Sequence, residues 1–113
     1  MTSRYAEISP GEGAPSVAFP PTYNAAVDLV DRHVEAGRGD RVAYVDDQGK
    51  TTYAQLARRV DAVGRALLSL GVEPEQRVLL MMHDTVDFAA TFLGAMKIGA
   101  VPVPVNTLLK SHD

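Results

Sequence analysis

The 113 residues contain no cysteine, which excludes a disulfide framework and any thiolate metal site. Positive charge is not in excess either. Eleven Lys and Arg stand against 14 Asp and Glu, a net charge of -3, so nothing draws the chain electrostatically to nucleic acid or to an anionic membrane. No apolar run approaches the length of a membrane span, and the N-terminus lacks the basic segment and apolar stretch of a signal peptide. The default expectation is a soluble cytoplasmic protein with no nucleic-acid or membrane partner. No glycine-rich turn follows a strand and precedes a helix, which disfavours a small nucleotide-binding domain. Apolar residues are present at 46%, ordinary for a globular core, in a chain sized for one domain or part of a larger one.

The stretch Arg77–Asn106 organises the rest and reads as strand, helix, strand. Arg77–Met82 ends in five consecutive apolar residues, a run suited to a strand buried on both faces. Asp84 or Thr85 can cap the helix after it. Phe88, Ala89, Phe92, Leu93 and Met96 recur at helical spacing and predict one apolar face over Val86–Ile98, and Gly99 supplies a left-handed terminus. Val101, Val103 and Val105 then alternate with Pro102 and Pro104, the period of a strand over Ala100–Val105. A crossover of this length makes the two strands parallel. Because Pro102 and Pro104 lack N–H groups on one side, the second strand can donate to one neighbour only, through Val103 and Val105.

Met1–Thr22 holds four of the seven prolines and reads as an extended arm, a loose tail by preference, with Val17 and Phe19 as the residues for docking in the alternative. Asn24 is an N-cap for a helix whose apolar face is Val27, Val30 and Val34, with Asp28, Asp31, Arg32 and Glu35 directed away from it, and Gly37 closes it. Arg41–Asp46 is a strand that turns through Asp47-Gln48-Gly49 and returns antiparallel at Lys50-Thr51. Thr52-Tyr53-Ala54-Gln55 is a capping box. It opens a helix with the stripe Leu56, Val60, Val63, Leu67 and Leu70, with Asp61 and Arg65 positioned to pair four residues apart, and Gly71 at its end.

Several residues invite a functional reading. His83-Asp84 lies at the C-terminal end of a parallel strand, where open α/β sheets bind ligands, but Asp84 and Asp87 would repel a phosphate there, so capping is the better assignment. His33 sits near a helix C-terminus, where a partly charged imidazole suits the dipole, and has no second ligand at metal-binding spacing. Gly37-Arg38-Gly39-Asp40 lacks the phosphate-loop pattern. Arg38, Arg58, Arg59 and Arg65 alternate with acids and read as a solvated face. Met81, Met82 and Met96 read as core filler.

Thr52-Tyr53-Ala54-Gln55-Leu56 resembles the first core motif of the adenylate-forming superfamily, T/S-Y-x-E-L, with Gln in place of Glu. Met96–Asn106 resembles the second, K-x-G-A-x-x-V-P leading to Asn or Asp. With the flanking segments YNAAVDLVDRHVEAGRGDRVAYVDD and VNTLLK, Tyr23–Lys110 is similar to benzoate–CoA ligases and related aryl-CoA synthetases. The resemblance implies an α/β fold in which residues 1–22 are the arm and 23–113 a partial N-terminal subdomain of the AMP-binding domain, a β-hairpin and helix followed by a parallel βαβ unit. It implies an acid–thiol ligase that activates benzoate or a hydroxybenzoate with ATP and Mg²⁺ to an acyl-adenylate, then passes the acyl group to CoA. The family's T-S-G-T-T-G-x-P-K phosphate loop, Y-G-x-T-E motif, hinge Asp and terminal Lys are expected beyond Asp113. The 113 residues are then a scaffold segment, with the remainder of their own polypeptide as partner, no catalytic residue or metal ligand of their own, and neither activity nor cofactor when isolated. Some relatives carry a basic residue just after the second motif that meets a CoA phosphate, and Lys110 is the candidate here. A free-standing α/β binding module without catalysis is the alternative, and the polypeptide beyond Asp113 distinguishes the two.

Overall fold

The computed structural model describes residues 3–113. The three glycines read as helix stops perform that role in the same way. Gly37, Gly71 and Gly99 adopt φ of +79°, +88° and +85°. At each, the following residue's N–H reaches back five positions, Arg38 to His33 O at 2.8 Å, Val72 to Leu67 O at 3.1 Å and Ala100 to Ala95 O at 3.0 Å. This double-bonded ending satisfies carbonyls that a helix otherwise leaves open.

In chain order, β1 (Glu7–Ser9) and β2 (Ser16–Ala18) come first and pair antiparallel. A helix over residues 25–35 (α1) is π-helical across Val27–Asp31 and α-helical across Arg32–Glu35. β3 (Val42–Asp46) and β4 (Gly49–Thr52) form a hairpin with a bulge between Val42 and Tyr44. α2 (Tyr53–Ser69) leads to β5 (Arg77–Leu80), α3 (Val86–Lys97) and β6 (Val101–Pro104).

The capping box is complete: Gln55 N–H donates to Thr52 Oγ1 at 3.2 Å, and Thr52 N–H to Gln55 Oε1 at 2.9 Å. β5 and β6 are parallel, Arg77 opposite Val101 and Leu80 opposite Pro104. Val101 N–H donates to Gln76 O at 2.8 Å and Val105 N–H to Leu80 O at 2.9 Å. The valines of β6 therefore face β5, and the proline edge pairs with no strand among the described residues.

The core is the meeting of α1, α2 and α3: Val30, Leu56, Val60, Val86 and Ala90, with Tyr44, Val63 and Leu93 packed around them. Here the structure corrects the expected faces. The deepest face of α3 is Val86, Ala90, Gly94 and Ala95, not the Phe88–Met96 stripe, which is half-buried with Phe88 stacked on Phe92 at 5.9 Å. Small residues win because α2 comes so close: a Cβ on Gly94 would lie 3.0 Å from Val60 O and 2.8 Å from Val63 Cγ1.

The stripe of α2 is buried only in its first half, and Leu70 is 80% exposed. The expectation that β5 is buried on both faces is also corrected. Leu80 is 2% exposed, whereas Leu79 is 68% exposed and Met81 59%, so this parallel pair has one covered face and one open one, and Met81 is not core.

The N-terminal arm holds the hairpin β1–β2, which the sequence did not suggest. In it Val17 is exposed, and Phe19, also exposed, meets the Tyr23 ring edge-on at 4.9 Å.

Candidate functional site

The residues singled out for chemistry are dispersed, and most are engaged in bracing. Arg38 donates to His33 Nδ1 from Nε at 3.2 Å, Arg59 pairs with Asp87 at 3.1 Å, and Arg58 and Arg59 line an open cleft with Lys50 and Gln55, while Arg65 lies in another beside Lys97. They do not converge on one point. His33 packs on the Tyr53 ring at 4.5 Å. Burial, and then the neighbouring Arg38 and Arg32, hold its pKa below the ordinary value. This corrects the expectation of a partly charged imidazole: an Nδ1 that accepts from a guanidinium favours the neutral ring more strongly than the helix end favours the charged one.

The segment after β5 is also braced from a distance. Neither Asp84 nor Thr85 caps α3 with its side chain. Asp46, at the end of β3, does so: its Oδ2 accepts the Val86 N–H at 2.9 Å. Asp84 instead accepts the Tyr44 hydroxyl at 2.7 Å, which, with burial and the charges of Asp84 and Asp46, pushes the Tyr44 pKa up to about 12. His83 is exposed.

Lys97, the lysine of the K-x-G-A stretch, joins the three helices. Its Nζ lies 2.6 Å from Asp31 of α1 and 2.6 Å from Asp61 of α2. Asp61 is therefore paired with Lys97, not with Arg65 as its spacing suggested. Burial lowers the Lys97 pKa, and the two carboxylates more than reverse this, leaving it raised. Asn24 completes the joint, donating from Nδ2 to Lys97 O at 3.1 Å while its Oδ1 accepts Ala26 N–H at 3.1 Å. One side chain thus starts α1 and closes α3.

Asp28, expected on the outer face of α1, is only 7% exposed. It accepts from Tyr23 Oη at 2.7 Å, Ala6 N at 3.1 Å and Arg32 Nη1 at 3.0 Å. Burial would raise its pKa. The bonds from Tyr23, Ala6 and Arg32 outweigh this and lower it. The wider π turn sets Asp28 and Asp31 further apart around the axis than an α-helix would, so one faces the arm and the other faces Lys97. Lys110 is exposed, and among the described residues no carboxylate forms an ion pair with it.

A capping-box helix, a parallel strand pair joined through α3, and a lysine-centred joint at the end of that helix define an α/β scaffold. The family of AMP-binding enzymes matches residues 30–113, and the chain belongs to it. Within that family it is 49% identical over 100 residues to the benzoate–CoA ligase of Thauera aromatica, covering 88% of this chain and 19% of that protein. It is 51% identical over 91 residues to the 4-hydroxybenzoate–CoA/benzoate–CoA ligase of Rhodopseudomonas palustris, covering 80% and 17%. The structure superposes on a benzoate CoA ligase from Burkholderia xenovorans LB400 with a TM-score of 0.74 and 45% identity, covering 79% of this chain and 18% of that one. The chain therefore spans about a fifth of the length of these relatives.

Among the described residues, the starts of α2 and α3 offer a triphosphate no free set of N–H donors. The first N–H groups of α2 are taken by Arg41 O, Gly39 O and the Thr52 hydroxyl, and α3 opens on the Asp46 carboxylate with Asp87 in its first turn. Each helix start that could receive a phosphate is already occupied or acidic.

Proposed function

We propose that this chain is the N-terminal scaffold segment of a cytoplasmic aryl-CoA ligase that converts benzoate or a hydroxybenzoate, with ATP, Mg²⁺ and CoA, to aryl-CoA, AMP and pyrophosphate. The similarity to two benzoate-activating ligases at 49% and 51% identity carries this reading. A carboxylate oxygen is a poor leaving group and AMP a good one, so a covalent intermediate divides a hard acyl transfer into two easier steps.

The residues present contribute position. Lys97, Asn24 and Asp46 fix α3, and with it the spacing of β5 and β6. Parallel strands are buried on both faces in complete folds, so the open face bearing Leu79 is read as the seat of the remaining polypeptide. Residues 23–113 are then a partial subdomain and residues 1–22 its arm. Lys110, exposed just past β6, is assigned to a phosphate of CoA.

The test is pyrophosphate release and thioester formation by the chain joined to the rest of its polypeptide, with benzoate, 4-hydroxybenzoate and acetate. It is run beside calorimetry of the 113-residue chain with ATP and Mg²⁺. Release dependent on an aromatic acid, no heat from the isolated chain, and a raised KM for CoA in Lys110→Ala with adenylation unchanged are expected. Turnover of acetate alone, or tight ATP binding by the 113 residues, would overturn the assignment.

A further inference from the structure

The N-terminal hairpin lies against α1 without entering the core. β1 and β2 are exposed along their whole length, Ile8 at 72% and Val17 at 50%, and no residue before Val30 belongs to the core cluster. Apart from the edge-on contact of Phe19 with Tyr23, its attachment is through polar groups of α1 and falls chiefly on two carboxylates. Asp28 takes the Ala6 N–H at 3.1 Å. Glu35 pairs with Arg4 and accepts the Tyr5 hydroxyl at 2.5 Å. The Arg32 guanidinium, itself bonded to Asp28, lies over the Tyr5 ring at 4.8 Å.

A two-stranded hairpin alone is marginal in water, and exposed ion pairs such as Arg4–Glu35 hold weakly. The buried acceptor Asp28 therefore dominates the attachment, because a carboxylate shielded from water binds a backbone N–H more tightly than a hydrated one. On the other side of α1, the bonds from Asp31 and Asn24 to Lys97 involve no residue of the arm.

We propose that residues 3–21 are a detachable strap, latched onto α1 by Asp28 and Glu35, that opens as a unit while α1, α2 and α3 stay packed. Pro20-Pro21 bounds the strap: its fixed φ angles stiffen the connection, so the segment leaves as one unit rather than unravelling residue by residue. Tyr23, on the core side of that pair, stays on Asp28 when the strap leaves. Opening bares Asp28, which is buried while the strap is closed, beside Arg32 and Glu35, which are already half-exposed, and so completes a surface of mixed charge on α1. Such openings lie at the low end of a protein's local stability range.

Amide hydrogen exchange of the whole chain, read by mass spectrometry on peptides from residues 3–21 and from α2, tests this. In the wild type the strap should be protected yet exchange faster than α2. Asp28→Asn should speed strap exchange about tenfold, and the surface variant Glu35→Gln about twofold, with α2 unchanged in both. Exchange of strap and α2 at one common rate, an unprotected strap in the wild type, equal acceleration of α2 by Asp28→Asn, or no change in the strap with either variant would each overturn the proposal.

Discussion

Replacing Gly94 by Ala tests the packing at the centre of the molecule. The new Cβ would lie 2.8 Å from Val63 Cγ1, 2.9 Å from Val63 Cβ and 3.0 Å from Val60 O. Two of these atoms cannot turn aside: the carbonyl is backbone within α2, and Val63 Cβ is fixed to it. The helices must separate, and overpacking of this kind costs about 1–3 kcal/mol, with the immovable carbonyl placing it toward the upper figure. Against it stands a gain of about 1 kcal/mol for Ala over Gly in a helix interior. A net loss of about 2 kcal/mol is expected, which in a chain of this size lowers Tm by about 10 °C. Gly64→Ala is the control. There the new Cβ would meet Ile98 Cγ2 at 3.1 Å and Gly94 O at 3.5 Å, so a yield of only a few tenths of an ångström by Ile98, at the very end of α3, accommodates it. The same propensity gain then leaves stability within about 0.5 kcal/mol of wild type. Urea unfolding followed by circular dichroism separates the two. A Gly94→Ala variant as stable as Gly64→Ala would refute the claim that close helix approach dictates the small-residue face.

Two further outcomes concern side chains that act across the fold. His33 should titrate below about 6.5, as its burial beside Arg38 requires. A depressed folded pKa means the unfolded chain takes up the proton first, so this contribution is complete above about pH 6.5 and is lost as pH falls through the folded value; an NMR titration with a midpoint above 6.5 would contradict the bond from Arg38. Asp46→Ala should cost about 1 kcal/mol through the lost cap on α3, whereas Thr85→Ala, whose side chain caps nothing, should be near neutral in thermal unfolding. A larger loss from Thr85→Ala would reverse that assignment.

Features fixed within a few residues were legible in the sequence. The capping box at Thr52 and Gln55, the glycine endings at Gly37, Gly71 and Gly99, and the parallel pairing around α3 all rest on local pattern or on crossover length. What escaped was set by partners far along the chain. Asp46 caps a helix that begins 40 residues later, and no local rule prefers it to Asp84 or Thr85. Asp28 looked like a solvent-facing acid because the π turn and the arm that bury it leave no periodic signature. The inner face of α3 was misread because the larger side chains attract attention, while closeness of approach selects the smaller ones. At the candidate site, the lysine of the K-x-G-A stretch was visible as a motif, but its two carboxylate partners lie on α1 and α2 and emerge only on folding.

The alternating prolines of β6 have a consequence for how this sheet can grow. With the N–H groups of Val101 and Val105 directed to β5, the opposite margin offers carbonyls and no donors at Pro102 and Pro104. A strand arriving there would find half of its ladder missing, whereas β5, with Val78 and Leu80 turned to β6 and no proline at Arg77 or Leu79, keeps its donors on the outer margin. Sheet extension is thereby polarised. Another strand of the same polypeptide, or a stray strand from a crowded solution, is admitted beside β5 and turned away beside β6, so one short sequence serves as both a strand and a barrier to misassembly.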